Sequence, residues 1–484
     1  MSRSAGDPVT LVLHEEATLD LAMLDAPRPD ELALAPRGDL LEGLDFDESP
    51  DFDAWLGLER QRLAADCRAL TLRWSVELLA RGEPDRAVAF ARRAVELDSL
   101  NADAHTVLVS ALARSGAHDA AQEQVARARD LFRRGLGVEP PASVSAATVV
   151  PTDEPALGSA VSRSLLEVAD SALSAGAAAI GIGQLRRALA AVPRRDTALG
   201  ARARLRLASA RIHHQGGRGV EVVTLLHEAL NAAERTGEAS VAAAAGRELG
   251  FLAVQNGHRA EAEHWLGIAE EHRPDRLERS RIWGVRGMSL NDEGRYGDAL
   301  EIFERARAIC PPENPRQAAW CAALAGRTLV LQGDMAQARH VLEQALAEMY
   351  AEHWTTVQPL PEAMLAEAAL TLGDVERARN LLEHAWVTAA EADDQCWIAV
   401  VAHGRARLAS VTGSDAMAWC DRGLSAAPWY LFFRGWLLDL AAELVDEPTQ
   451  ALAYAGELER LAASGGMHDL ARRALAHRGR WSRA

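Results

Sequence analysis

Small and large apolar residues recur along this chain at fixed distances from a repeated glycine. The glycine stands in phrases such as Gly257-His-Arg-Ala-Glu-Ala, Gly294-Arg-Tyr-Gly-Asp-Ala, Gly333-Asp-Met-Ala-Gln-Ala and Gly373-Asp-Val-Glu-Arg-Ala. It falls at positions 82, 116, 176, 217, 257, 294, 333, 373 and 413, with spacings of 34, 60, 41, 40, 37, 39, 40 and 40 residues. Five residues after it the site is small or slim, as in Ala87, Ala121, Val222, Ala262, Ala299, Ala338 and Ala378. Nine after it stands a larger apolar residue, such as Phe90, Leu185, Leu226, Leu266, Phe303, Leu342 or Leu382. Twelve after it alanine returns, and seven before it the site is again small, as at Ala210, Gly250, Gly287, Gly326 and Ala366.

These slots predict a pair of antiparallel helices around each glycine. Small residues at −7 and +5 let the two helices cross closely, and the larger residue at +9 fills the space beneath. Glycine ends the first helix in a left-handed turn that other residues adopt only at a cost. Proline at +17 in Pro193, Pro274 and Pro311 stops the second helix. A hairpin of this kind cannot bury its apolar face alone, so neighbours must stack. The pattern resembles the tetratricopeptide repeat, at its usual length of about 34 residues in the first two units and stretched in the rest. The fold expected is therefore all-α, a tetratricopeptide-like α-solenoid in two blocks. The last repeat is divergent, with Arg422 and Ser425 where leucine and alanine are expected.

The single long spacing contains a run from Val138 to Pro155 with Pro140, Pro141, Pro151 and Pro155. Proline at that density forbids a continuous helix, so the run reads as a linker. The division expected is residues 1–16 as an N-terminal remnant, 17–145 as a first domain, 146–160 as linker and 161–484 as an array of about seven units. Val9-Thr-Leu-Val-Leu-His and Ala17-Thr-Leu-Asp-Leu alternate as two short strands of a β-hairpin would.

The first block carries further words. Gly38-Asp-Leu-Leu-Glu-Gly-Leu precedes an acidic stretch, then comes Phe52-Asp-Ala-Trp55-Leu-Gly-Leu-Glu59-Arg60-Gln-Arg-Leu63, and the block closes on Leu136-Gly137-Val-Glu-Pro140. In this order the phrases resemble the bacterial transcriptional activator domain of Streptomyces antibiotic regulatory protein relatives, over about residues 17–145. After Glu96-Leu97-Asp98 the family continues with a proline turn, whereas Ser99 and Ala102 stand here, which weakens that turn. The resemblance implies a regulator acting through dimer or RNA polymerase contacts. In that family a winged-helix DNA-binding domain comes first, and none is evident here. DNA contact would need an upstream domain, if Met1 is not the true start, or a DNA-binding partner. Trp55, Glu59 and Arg60 lie within one helical turn or so of each other and form a candidate partner-docking patch.

Composition narrows the chemistry. All 52 cationic side chains are arginine. A Walker A loop and a Schiff-base enzyme both need lysine, so both classes are excluded. The net charge is −17, of which residues 1–53 carry −11 through 14 acidic and three basic side chains, and no basic face for nucleic acid emerges. The arginine-rich tail Arg472-Arg473-Ala-Leu-Ala-His477-Arg478-Gly-Arg480-Trp481-Ser-Arg483 is read as a solvated last helix with cations at its C-terminal end. The five cysteines are far apart and fit reduced thiols, and no apolar run reaches the length of a membrane span. With no signal peptide, a cytoplasmic protein is expected. No catalytic, metal or cofactor site is expected, and Gly181-Ile-Gly183 falls inside a helix rather than after a strand. The sequence thus points to a non-enzymatic regulator with a docking or sensor array. The alternative is a tetratricopeptide adaptor with no role in transcription.

Overall fold

The structure is a computed structural model that describes residues 38, 40–42, 50–148, 158–174, 177–392, 394–426 and 430–481. The strand pair expected at 9–21 lies outside these residues. Among those described, every regular element is a helix. The chain divides into two compact units, Met1–Pro151 and Thr152–Ala484.

In the first unit a 32-residue helix, α1 (Pro50–Arg81), leads into α2 (Pro84–Leu97), α3 (Ala102–Arg114), α4 (His118–Leu136) and the short α5 (Ala142–Ala146). Trp74 of α1 and Phe90 of α2 meet edge to face at 5.7 Å in the core. The turn between α2 and α3, where proline is missing, is held by side chains instead. Asp98 accepts from the Leu100 N–H at 3.2 Å, and Asn101 caps α3 by accepting from Ala104 N–H at 3.0 Å. The buried His105 donates from Nε2 to the Ser99 carbonyl (3.0 Å) and accepts at Nδ1 from Gln124 (2.8 Å). These hydrogen bonds specify the turn.

The second unit begins with seven hairpins. They are α6/α7 (Ser159–Ser174, Ala178–Ala190), α8/α9 (Thr197–Gln215, Val220–Thr236), α10/α11 (Ala239–Gln255, Arg259–Glu271) and α12/α13 (Arg276–Glu293, Tyr296–Ile309). The series continues with α14/α15 (Pro315–Gln332, Met335–Ala351), α16/α17 (Pro359–Thr371, Val375–Glu391) and α18/α19 (Gln395–Thr412, Ala416–Ala426). Three further helices follow, α20 (Leu431–Leu444), α21 (Pro448–Ser464) and α22 (His468–Trp481).

The slots read from the sequence meet as pairs. A Cβ placed on Gly287 would lie 2.4 Å from the Phe303 ring, and one on Gly326 would lie 2.4 Å from Leu342. Position −7 therefore touches position +9 of its own hairpin. The glycine caps are left-handed at Gly257, Gly294, Gly333 and Gly373, with φ of 74°, 91°, 95° and 86°. In the second hairpin of this unit the left-handed residue is Gly216 (φ 61°), one before the Gly217 expected. In the last hairpin α19 buries Cys420, Gly423 and Ala426 while Ala418 is exposed. Its turn is one residue longer, which rotates the slots.

Candidate functional site

First helices of successive hairpins lie side by side: α10 packs on α12, α12 on α14, α14 on α16, α16 on α18 and α18 on α20. They form one continuous face. An ordinary amphipathic helix would leave a wet stripe there, yet α16 is buried at every residue from Pro359 to Leu370. Something covers it. Tyr430, Phe432, Phe433 and Trp436, from the start of α20, share one apolar core with Met364, Leu365, Val285 and Leu324.

Charged groups are enclosed on this face. Arg327, on α14, donates from Nη2 to Asp292 Oδ1 at 2.6 Å, and the two side chains are 2% and 0% exposed. Tyr430 donates to the other Asp292 oxygen at 3.4 Å, and Asn291 Nδ2 donates to Oδ1 at 3.3 Å. The Arg327 guanidinium lies over Phe432 (4.4 Å) and Phe433 (5.2 Å), an attractive placement for a cation on the negative ring face. Burial works against the Arg327 charge, but the Asp292 carboxylate overrides it and holds the guanidinium above its ordinary value. Burial pushes the Tyr430 phenol up, and Asp292 adds to it.

A second cluster lies on α8, α10 and α12. Glu248 accepts from Ser209 Oγ (2.9 Å), His213 Nε2 (3.0 Å) and Arg247 Nη1 (3.1 Å). Arg247 in turn donates to Glu278 at 2.6 Å. Burial alone would raise the Glu248 carboxyl, but Arg247 and His213 outweigh it and hold it well below the usual range. His213, itself partly exposed, thus serves a buried carboxylate. Burial also pushes Arg218, on the turn between α8 and α9, down to about 10, opposed by Cys396, Asp394 and Tyr430.

These groups hold the stacked helices together. Burial pushes the Cys321 and Cys420 thiols up to about 12 and keeps them protonated. His403 is driven well below its ordinary value by burial and stacks on Trp436 at 3.4 Å. Among the described residues no group of three or more potential metal ligands converges, and no helix is long and apolar enough to cross a membrane. The five cysteines are free.

Trp55, Glu59 and Arg60 all lie on α1. The Trp55 side chain lies outside the described set. Arg60 reaches back to the turn at residues 40–42, donating from Nε to the Leu40 carbonyl (2.8 Å) and from Nη2 to the Leu41 carbonyl (3.0 Å). Glu59 is half-buried and also engaged. Arg60 therefore ties the glycine-led turn to the helix that follows it. Three of the tail arginines are paired as well. Arg473 pairs with Asp439 (3.2 Å) and Asp469 (2.9 Å), Arg472 with Asp469 and Arg478 with Glu459. The Arg327–Asp292–Tyr430 group escaped sequence reading. A charge six residues before Gly333 in the otherwise apolar Leu-Ala-Gly-Arg-Thr-Leu-Val-Leu stretch was the available signal.

Stacked hairpins with a continuous first-helix face define a helical-repeat protein. Residues 33–148 match the bacterial transcriptional activator domain, and residues 278–347, which contain α13 and α14 and most of α12 and α15, match the tetratricopeptide repeat. The chain thus carries a bacterial transcriptional activator domain followed by tetratricopeptide repeats. No curated protein matches it. Similar solved structures include aspartyl phosphate phosphatase F from Bacillus subtilis, at 11% identity and a TM-score of 0.39, covering 86% of this chain and 93% of that one. Yeast Tom70 is similar at 12% identity and a TM-score of 0.34, covering 90% and 95%. The Rap conjugation gene regulator of plasmid pLS20, solved with the Phr* peptide, is similar at 14% identity and a TM-score of 0.33, covering 86% and 96%.

Proposed function

We propose that this chain is a transcriptional regulator that works through protein contacts. Its activator domain engages RNA polymerase, a DNA-binding partner or a second copy, and its repeat array is a docking or sensing surface. The observation that carries this reading is the match of residues 33–148 to the bacterial transcriptional activator domain, joined in one chain to tetratricopeptide repeats. Within the activator domain, the α1 segment with Trp55, Glu59 and Arg60 is the docking surface we propose. The turn that Arg60 braces sits beside it. DNA contact is assigned to a partner or to another domain, since Arg472, Arg473 and Arg478 of the tail are paired with carboxylates. The protein is read as a non-enzyme, with no cofactor.

Affinity capture of RNA polymerase by the full chain, with transcript profiling of a deletion strain, tests the reading. Polymerase or a sequence-specific DNA-binding protein should co-purify, and a defined gene set should change. Unaltered transcripts together with no such co-purification would overturn it and favour an adaptor outside transcription.

A further inference from the structure

Arginines around the C-terminal hairpins are mostly neutralised by carboxylates. On α17, Arg377 pairs with Glu343 (2.6 Å) and Arg379 with Glu376 (3.5 Å). On α18, Arg407 pairs with Glu367 (3.1 Å) and Glu443 (3.8 Å), and on α20 Arg434 pairs with Glu457. Arg405 and Arg422 do not follow. Among the described residues neither has a carboxylate within ion-pairing distance.

Both lie instead on the same two indoles. Trp386 of α17 and Trp419 of α19, each half-buried, meet edge to face at 5.0 Å. The Arg405 guanidinium is 4.8 Å from the Trp419 ring centre and 5.3 Å from that of Trp386. The Arg422 guanidinium is 5.1 Å from Trp386 and 5.6 Å from Trp419. Two like charges thus share one aromatic platform. Burial works against the Arg405 charge, Glu383 on α17 opposes that effect, and Arg422 adds to it. Arg422 reaches this place through the register of α19. It stands nine residues after Gly413, where the repeat expects a core leucine. The longer turn gives the buried positions to Cys420 and Gly423 and leaves Arg422 exposed.

Stacking holds a guanidinium by its flat face and leaves its edge N–H groups for an oxyanion. Those edges are nearly unused here. Arg405 makes one long bond, from Nη2 to the Leu382 carbonyl at 3.4 Å, and its enclosed Nε has no partner. An enclosed donor without an acceptor is costly. Two neighbouring forks match the three oxygens and double charge of a phosphate better than they match a single carboxylate. We propose that Arg405 and Arg422, set on Trp386 and Trp419, bind the phosphate group of a phosphate monoester. The site rests on the reading of the array as a docking or sensing surface and supplies its class of ligand.

Fluorine NMR of the full chain carrying fluorotryptophan reads the platform directly, with signals assigned by Trp386→Phe and Trp419→Phe. The probes are glycerol phosphate, a short phosphoserine peptide and its unphosphorylated twin, each set against potassium chloride of equal ionic strength. Both signals should shift saturably with a phosphate-bearing probe and stay in place with the unphosphorylated peptide. Arg422→Gln alters an exposed side chain outside the core. It should weaken binding about tenfold, the scale of one charge-assisted hydrogen bond, and Arg405→Gln should weaken it at least as much. Tighter binding of glycerol phosphate would identify a small phosphorylated molecule as the source, and tighter binding of the peptide a phosphorylated protein. Shifts that never saturate, that equal those in chloride, or that survive Arg422→Gln unchanged would overturn the site. The stack would then be structural only. Polymerase capture and transcript profiling test the transcriptional reading separately, and failure of either reading leaves the other's measurement intact.

Discussion

Asp292 has three partners on the face where it is enclosed: Arg327, Asn291 and Tyr430. A buried pair of this kind is weak evidence for stability, but removing one member strands the other charge without water. Asp292→Ala is therefore expected to cost about 3–5 kcal/mol, read as a lower urea midpoint, and a joint apolar replacement with Arg327→Met should recover much of it. Glu362 behaves differently. It is 0% exposed and accepts from the Tyr350 hydroxyl at 2.6 Å and from His384 Nδ1 at 2.8 Å. Burial raises its carboxyl despite both partners. A carboxyl whose folded value is raised contributes fully below its unfolded value, and that contribution fades as pH rises through the folded value. Thermal midpoints of wild type measured against Glu362→Gln should therefore fall as pH rises from the ordinary carboxylate range through the raised folded value. A flat difference would show that Glu362 does not titrate there.

Each hairpin is built around a close crossing. At Gly287 the helix gives up the propensity of alanine so that Phe303 can lie against bare backbone. Gly287→Ala gains up to about 1 kcal/mol of helix propensity, and the 2.4 Å approach to a rigid ring outweighs it. The net effect expected is a loss of about 1–3 kcal/mol from overpacking. Gly267, in the middle of α11, has nothing within 4 Å of an added Cβ. Gly267→Ala should then stabilise by up to about 1 kcal/mol. Denaturant midpoints of the two variants should move in opposite directions; a common direction would refute the slot assignment. The slots were legible because each depends on residues within about twenty positions of its glycine. The last hairpin was less so, since one added turn residue shifts α19 relative to the pattern.

For the whole molecule, the second unit holds its own buried cores, one from Ala169 to Trp265 and one from Ala253 to Ala474. A protein of residues 152–484 is therefore expected to retain helical circular dichroism and to unfold cooperatively by itself. A non-cooperative melt would mean that the array depends on the activator domain.

By itself the sequence determined the helical class, the hairpin period, the close-crossing pairs and the family words of the first block. All of these are local, set by residues one hairpin apart. It also excluded lysine-dependent chemistry outright. It missed what lies beyond a hairpin's reach: the Arg327–Asp292–Tyr430 group, and the contacts of Gly465 and Asp469 with Arg259 and Tyr296. Those contacts form only when stacked repeats bring distant turns together. No periodicity in one chain encodes which distant turn will be met, so the packing of the array decided them.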